Sequence, residues 1–148
     1  MSVSWGVLPI TPEIHGWLRD SGFEKIPSNT RRPTLDELLS VIASLNLPIQ
    51  MQTISKDTVG ISVGEAGSAH YAYLLGGFEG DAFAFQFFGS DCRERTMLEI
   101  VKGLSQKHCQ ALVIYESGSA IPIIVDAKTD IDEAIAAWHR KFKQQRND

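Results

Sequence analysis

Cys92 is the residue in this sequence best suited to nucleophilic chemistry. It stands at the start of a run with helical spacing, and Arg93 and Arg95 follow it closely. A thiol in the first turn of a helix, near guanidinium groups, has a lowered pKa and forms a thiolate more readily. Neither Cys92 nor Cys109 has a sequence neighbour that could hold a base in place. We therefore expect two free thiols and no catalytic residue.

The spacing of the two cysteines also argues against a disulfide. We predict that they lie at the two ends of one helix, about 25 Å apart at 1.5 Å per residue, which is too far for a disulfide. Free thiols are typical of a reducing cytosol. Met1 to Ile10 lacks the basic region and long apolar core of a signal peptide, and no run approaches eighteen apolar residues. We expect a cytoplasmic protein that does not bind membranes.

Metal-binding patterns are missing from the sequence. No pair of histidines has the spacing that directs two imidazoles to one metal, and no Cys-x-x-Cys motif occurs. We expect no metal site and no cofactor. The four histidines are His15, His70, His108 and His139.

A glycine-rich segment at residues 76–82 separates two strand-like runs. It lacks the lysine and hydroxyl of a phosphate-binding loop, and Glu79 and Asp81 would repel phosphate. Its length exceeds what a tight turn needs, so we predict a flexible hairpin loop. An aromatic side chain between carboxylates is suited to dock into a basic groove on another protein. Phe78, Glu79 and Asp81 are thus the leading candidates for partner binding.

Negative charge is concentrated around the same segment. The chain has a net charge of −4, which is the wrong sign for a general phosphate-backbone binder. Residues 56–90 contain a single basic residue, Lys56. We expect a protein partner with a basic surface rather than nucleic acid, and Asp57, Glu65 and Glu116 are weaker candidates for binding it. The acidic residues of the segment are Asp57, Glu65, Glu79 and Asp81.

The elements that position these residues indicate an α+β domain. Thr34 and Glu37 form a capping box at the start of an amphipathic helix, and short connections between alternating runs favour antiparallel pairing. The predicted order is α-α-β-β-β-β-α-β-β-α, with helices packed on one face of a largely antiparallel sheet. The predicted helices begin at Thr11, Thr34, Asp91 and Thr129 or Asp130, and the predicted strands cover 49–54, 59–63, 69–75, 83–88, 112–115 and 121–125.

A chain of 148 residues suits one domain with its own core. We divide it into an N-terminal helix with an irregular connector, residues 1–33, and a compact α+β core, residues 34–145. Alternation predicts a buried row at Phe83, Phe85 and Phe87, whereas Tyr71 and Tyr73 keep polar tips and should be partly exposed. The predicted core includes Leu38, Ile42, Ile61, Phe85, Ile100, Leu104, Ile114, Ile135 and Trp138.

In size, charge and element order, the segment from about Thr34 to Phe142 resembles the immunity proteins of bacterial toxin systems. The resemblance rests on the Gly-Phe-Glu-Gly-Asp hairpin at 77–81, the Tyr-Glu-Ser-Gly-Ser-Ala-Ile-Pro turn at 115–122 and the helix containing Trp138. It implies a non-catalytic inhibitor that covers a cognate basic toxin domain, and it transfers no functional residue. A secretion-effector chaperone, typically an acidic homodimer, and a small-molecule enzyme using Cys92 are the alternatives. The choice between monomer and homodimer stays open.

Overall fold

A computed structural model describes residues 3–28 and 30–147. Within them the chain forms seven strands, four α-helices and two short helical turns of other types. In chain order these are β1 (Ser4–Leu8), a 3-10 turn (Pro12–Ile14), α1 (His15–Asp20), α2 (Leu35–Ser44), β2 (Ile49–Ser55), β3 (Thr58–Val63), β4 (Ala72–Glu79), β5 (Ala82–Phe88), α3 (Glu94–Leu104), a π-helical turn (Ser105–Cys109), β6 (Ala111–Glu116), β7 (Pro122–Asp126) and α4 (Ile131–Asn147).

All seven strands belong to one antiparallel sheet, in the order β2-β3-β4-β5-β1-β6-β7. The α+β class and the antiparallel sheet are confirmed. The predicted element order is also matched, apart from β1, which lies in the N-terminal region that we had interpreted as a helix and connector. That helix is short, and β1 occupies an interior position between β5 and β6.

The glycine in its centre explains why β1 was missed in the sequence. Gly6 pairs with Tyr115 on β6, and a Cβ atom built on Gly6 would lie 2.5 Å from the Tyr115 ring. The ring therefore needs the space that any side chain at this position would fill. Glycine is disfavoured in strands on propensity alone, so this packing requirement conceals the strand in the sequence.

The main core lies between one face of the sheet and helices α2, α3 and α4. Alternate residues of the central strands point into it, including the predicted row Phe83, Phe85 and Phe87. Eight of the nine predicted core residues are buried, and Ile135 packs against them from a partly buried position. The expectation that Tyr71 and Tyr73 are partly exposed is also confirmed.

Helix α1 differs from the prediction because it packs on the opposite face. Leu18 is fully buried there, in a second cluster that includes Ala111 and Val113 of β6. Trp17 lies edge-on to Tyr115, with 5.4 Å between ring centroids. Both faces are therefore covered at the β6 end of the sheet, whereas α2, α3 and α4 leave the other face of β2 to β5 open.

Helices α2 and α3 pack closely because Gly103 has no side chain. A Cβ atom there would lie 2.6 Å from Val41 Cγ1, which is shorter than any ordinary contact. In an isolated helix, glycine costs about 1 kcal/mol relative to alanine. Here the close contact between two buried helix faces offsets that local cost.

The start of α2 has the predicted capping box. Thr34 Oγ1 accepts a hydrogen bond from the Glu37 N–H, and a Glu37 carboxylate oxygen accepts one from the Thr34 N–H at 2.9 Å. Glu37 also receives two bonds from Arg31, at 2.7 and 2.8 Å, and lies 3.0 Å from His108 Nδ1. These donors, Arg31 above all, lower the pKa of Glu37 to about 2.

We predict that Glu37 makes the free energy of unfolding depend on pH in the acidic range. Its folded pKa of about 2 lies below the ordinary 4.5, so its contribution is present above the unfolded pKa and is lost as the pH falls toward the folded value. Glu37→Gln should therefore reduce the free energy of unfolding at pH 7 and flatten its dependence between these two pH values. Urea denaturation across that range checks this, and an unchanged pH profile in the variant would contradict it.

We also predict that Trp138 stabilises the core strongly. Its side chain is buried, stacks on Phe142 with 4.9 Å between ring centroids and tilts against Trp5 at 5.0 Å. Trp138→Ala should cost about 3–5 kcal/mol, measured by urea denaturation, whereas exposed Lys143→Ala should change stability by less than about 0.5 kcal/mol. A loss below about 1 kcal/mol would show that the indole contributes little to the core.

Candidate functional site

Two hairpin turns that are far apart in sequence meet at one end of the sheet. The β2–β3 turn contains Asp57, and the β4–β5 turn follows Phe78 and Glu79 and contains Asp81. They are close because Gly77 has no side chain: a Cβ atom there would lie 2.8 Å from the Asp57 carbonyl oxygen. We call Asp57, Phe78, Glu79 and Asp81 the acidic tip.

The β4–β5 connection corrects our prediction of a long flexible loop. Residues Gly76 to Glu79 belong to β4, Glu79 pairs with Ala82, and only Gly80 and Asp81 form the turn. Gly80 has φ of 62°, the left-handed value that a two-residue hairpin turn requires at its first position. The adjacent glycines had suggested a loop, so β4 was predicted about three residues too early. Glu79 therefore ends a strand, and Asp81 lies on a short turn directly after it.

Phe78 is the most exposed large apolar side chain in the described residues, at 57%. It packs edge-on against Phe83, with 5.4 Å between ring centroids. Glu79 lies 3.4 Å from the guanidinium of Arg32 and is still largely exposed. An exposed pair at this distance contributes little to stability, so Glu79 can exchange Arg32 for a cation on another protein at low cost.

Two of the predicted binding residues lie elsewhere. Glu65 follows β3 at the opposite end of the sheet from Asp57, and Glu116 ends β6, where its register partner is Trp5. Glu116 also accepts a hydrogen bond from the Ser119 N–H at 2.9 Å, which stabilises its own turn. Neither residue contributes to the acidic tip.

The open face of the sheet carries a groove that the sequence did not reveal. Its volume is about 430 Å³. Leu75, Gln86, Gly6 and Tyr115 lie side by side across its floor, because each is the register partner of the next. The alternation of small and polar residues with buried ones along β4 and β5 was the available signal, but it does not show which strands become neighbours.

The groove adjoins the acidic tip. Thr58, next to Asp57, lines one side, and Arg32 lines the other while its guanidinium donates to the Val7 carbonyl at 3.3 Å. The same arginine contacts Glu79. A partner that covers the tip would thus lie beside a concave surface with hydroxyl, amide and guanidinium groups.

The prediction that Cys92 lies in the first turn of a helix is wrong, because α3 begins after it. The helix begins at Glu94 after Arg93, so the predicted start at Asp91 was about three residues too early. The thiol accepts a hydrogen bond from the Tyr73 N–H at 3.3 Å and donates to the Phe88 carbonyl at 3.4 Å. Burial is the main cause that raises its pKa. Burial likewise raises the pKa of Cys109 to about 11.

Among residues 3–28 and 30–147, no group of three or more histidine, cysteine or acidic side chains could hold a metal ion. In the same residues no helix combines the length and apolar character needed to cross a bilayer. The chain matches no known family model, and neither characterised proteins nor solved structures showed significant similarity to it.

We predict that Cys92 reacts slowly with iodoacetamide at neutral pH, because a thiol with a raised pKa is protonated there. The alkylation rate of the native Cys109→Ser variant, followed by mass spectrometry, should still be rising above pH 9, the ordinary thiol value. Titration of the denatured, unreduced wild type should find both cysteines as free thiols. An alkylation rate that reaches its plateau below pH 7 would instead support an activated nucleophile.

Proposed function

We propose that this protein binds a partner protein through the acidic tip and acts as an immunity-type inhibitor of a basic toxin domain. One observation carries the proposal: the fold brings the Asp57 turn against the Phe78–Asp81 hairpin, so that three acidic residues and an exposed aromatic ring lie at the same end of neighbouring strands. The grouping needs two glycine positions, Gly77 for the contact and Gly80 for the tight turn.

The ring and the carboxylates would contribute differently to binding. Burying a phenylalanine side chain contributes about 1.5–3 kcal/mol, and aromatic anchors are typical hot spots that slow dissociation. Exposed carboxylates mainly accelerate association with a basic surface. Lys56 and Arg32 offset part of the negative charge at the tip, so we expect moderate electrostatic steering.

A basic toxin domain would complement the charge of this surface. Toxins that act on nucleic acid have cationic active sites, because they must bind phosphates. An acidic, ordered hairpin with an apolar anchor can occupy such a site, while the adjoining groove accepts a neighbouring side chain. The resemblance to immunity proteins supports the same function.

Genetic context and growth provide the first test. A neighbouring gene that ends in a small basic domain would supply the partner, and co-expression with this chain should restore growth to cells that produce the domain. Unchanged toxicity, despite soluble expression of both proteins, would contradict the immunity function.

The acidic tip itself is tested by Glu79→Lys/Asp81→Lys. We expect association to slow at least tenfold at low salt, because both changes reverse the steering charge, while thermal stability stays nearly unchanged. In stopped-flow measurements at increasing salt, the association rates of the wild type and the double variant should converge as the Debye length falls below about 10 Å. Asp20→Lys/Glu24→Lys, with the same charge change on and beyond α1, is the matched control.

Phe78→Ala tests the contribution of the aromatic ring to binding separately from that of the carboxylates. It should raise the dissociation rate with little effect on association, whereas the double lysine variant should do the reverse. If a partner is found and the double variant associates with it at the wild-type rate, the acidic tip is a solubilising surface rather than an interface.

A further inference from the structure

The two edges of the sheet are protected very differently. At β7, Pro122 lacks an N–H, the Val125 carbonyl accepts a hydrogen bond from Ser105 Oγ at 2.9 Å, and the Asp126 N–H donates to Thr129 Oγ1 at 2.9 Å. At β2, every residue after Ile49 is exposed. Natural proteins usually protect a strand edge with charges, proline or a covering element, and β2 has no such protection along its first five residues.

The backbone of β2 is open to pairing with another strand. The Gly64 N–H donates to the Pro48 carbonyl at 2.8 Å, which makes this a hydrogen-bonded pair. Such pairs alternate along an antiparallel ladder, so Gln50 and Gln52 bond to β3, whereas the N–H and C=O groups of Ile49 and Met51 point away from the sheet. A register shift near Thr53 and Ser55 limits the regular edge to its N-terminal part.

The side chains of β2 are also unusual for an edge. Residues 49–55 include no charged residue, and two of the exposed large apolar side chains in the described residues lie here, Met51 at 55% and Ile54 at 49%. Because side chains alternate between the two faces of a strand, Met51 lies on the helix side and Ile54 on the open side. A strand added to this edge could pack on both.

Carboxylates stand at both ends of this uncharged edge. Asp57 follows its C-terminal end, and Glu65 lies beyond its N-terminal end, two residues after Val63, the partner of Ile49. Lys56 offsets part of the charge at the Asp57 end. The chain from 33 to 55 contains no basic residue. The edge therefore complements an extended segment that has apolar residues in its middle and basic residues at both ends.

A second copy of this chain fits the edge less well. Antiparallel pairing of two β2 strands would bring Asp57 of one copy toward Glu65 of the other at each end, between two molecules that each carry a net charge of −4. The charges thus favour a basic segment of another protein.

We propose that β2 binds an extended, basic-ended peptide segment of a partner protein as an eighth strand of the sheet. Backbone hydrogen bonds to Ile49 and Met51 would supply affinity, and the carboxylates of Asp57 and Glu65 would select the ends of the segment. This surface goes beyond the acidic tip, and its test requires no toxin.

The test uses the synthetic peptide Lys-Thr-Val-Thr-Val-Thr-Val-Thr-Lys and a second peptide with glutamate at both ends. We expect the lysine-ended peptide to slow hydrogen exchange of the Met51 amide at least tenfold, measured by NMR, and to bind at least fivefold more tightly than the glutamate-ended one. In Asp57→Lys/Glu65→Lys this preference should reverse, because the selecting charges have been exchanged.

Two variants of Met51 separate backbone pairing from side-chain contact. Met51→Ala and Met51→Pro both lose the thioether, but only proline removes the outward N–H, and proline is tolerated on edge strands. Binding should be retained within about threefold in the alanine variant and lost in the proline variant, with both remaining folded by circular dichroism.

Three results would overturn the proposal: equal binding of the two peptides, equal binding by the two variants, or no change in exchange of the Met51 amide. Concentration-dependent dimers of Met51→Ala but not of Met51→Pro, seen by sedimentation, would assign the edge to a second copy instead. The acidic tip is tested separately, because Glu79→Lys/Asp81→Lys should leave exchange protection by the lysine-ended peptide within about threefold.

Discussion

Strand β1 joins two parts of the sheet that share no other strand pairing in the described residues. On one side is the meander of β2 to β5, and on the other is the hairpin of β6 and β7. The join depends on Gly6, because only a residue without a side chain lets the Tyr115 ring lie across the strand. With that contact, Trp5 and Val7 are directed into the core below, and a single sheet extends over all three long helices.

This arrangement determines which surfaces are left for binding. The chain after β1 turns back as α1 and covers the face at β6, so Trp17 and Tyr115 pack together there. The connector then crosses the sheet near Arg32 and leads into α2 on the other side, where Glu37 and Arg31 fix its entry. The open face of β2 to β5, the acidic tip and the β2 edge all belong to the part of the sheet that α1 does not cover.

The sequence predicted the parts of this fold that local patterns control. The Thr34–Glu37 capping box and the Phe83–Phe87 alternation act over a few residues, so their signals are readable without tertiary structure. The missed features depend on contacts between distant segments. Gly6 looks unfavourable in a strand until Tyr115 is placed beside it, and Gly76 and Gly77 look like a loop until Phe83 and the Asp57 turn occupy the space above them. The sequence therefore predicted only that Asp57, Glu79 and Asp81 belong to one region of negative charge. It could not distinguish these residues, which the fold brings together, from Glu65 and Glu116, which lie elsewhere.

The two proposed surfaces use the same acidic end in different ways. Asp57 belongs to the acidic tip, lies against the backbone of β4 at Gly77 and directly follows the β2 region, so the tip adjoins the open edge. A segment added to β2 would end beside Asp57, and a folded domain on the tip would meet the same carboxylate. One partner could use both surfaces if an extended basic segment leads into a basic domain. Because a single linked partner raises the effective concentration at the second surface, two modest contacts could then produce tight binding without a large interface at either one.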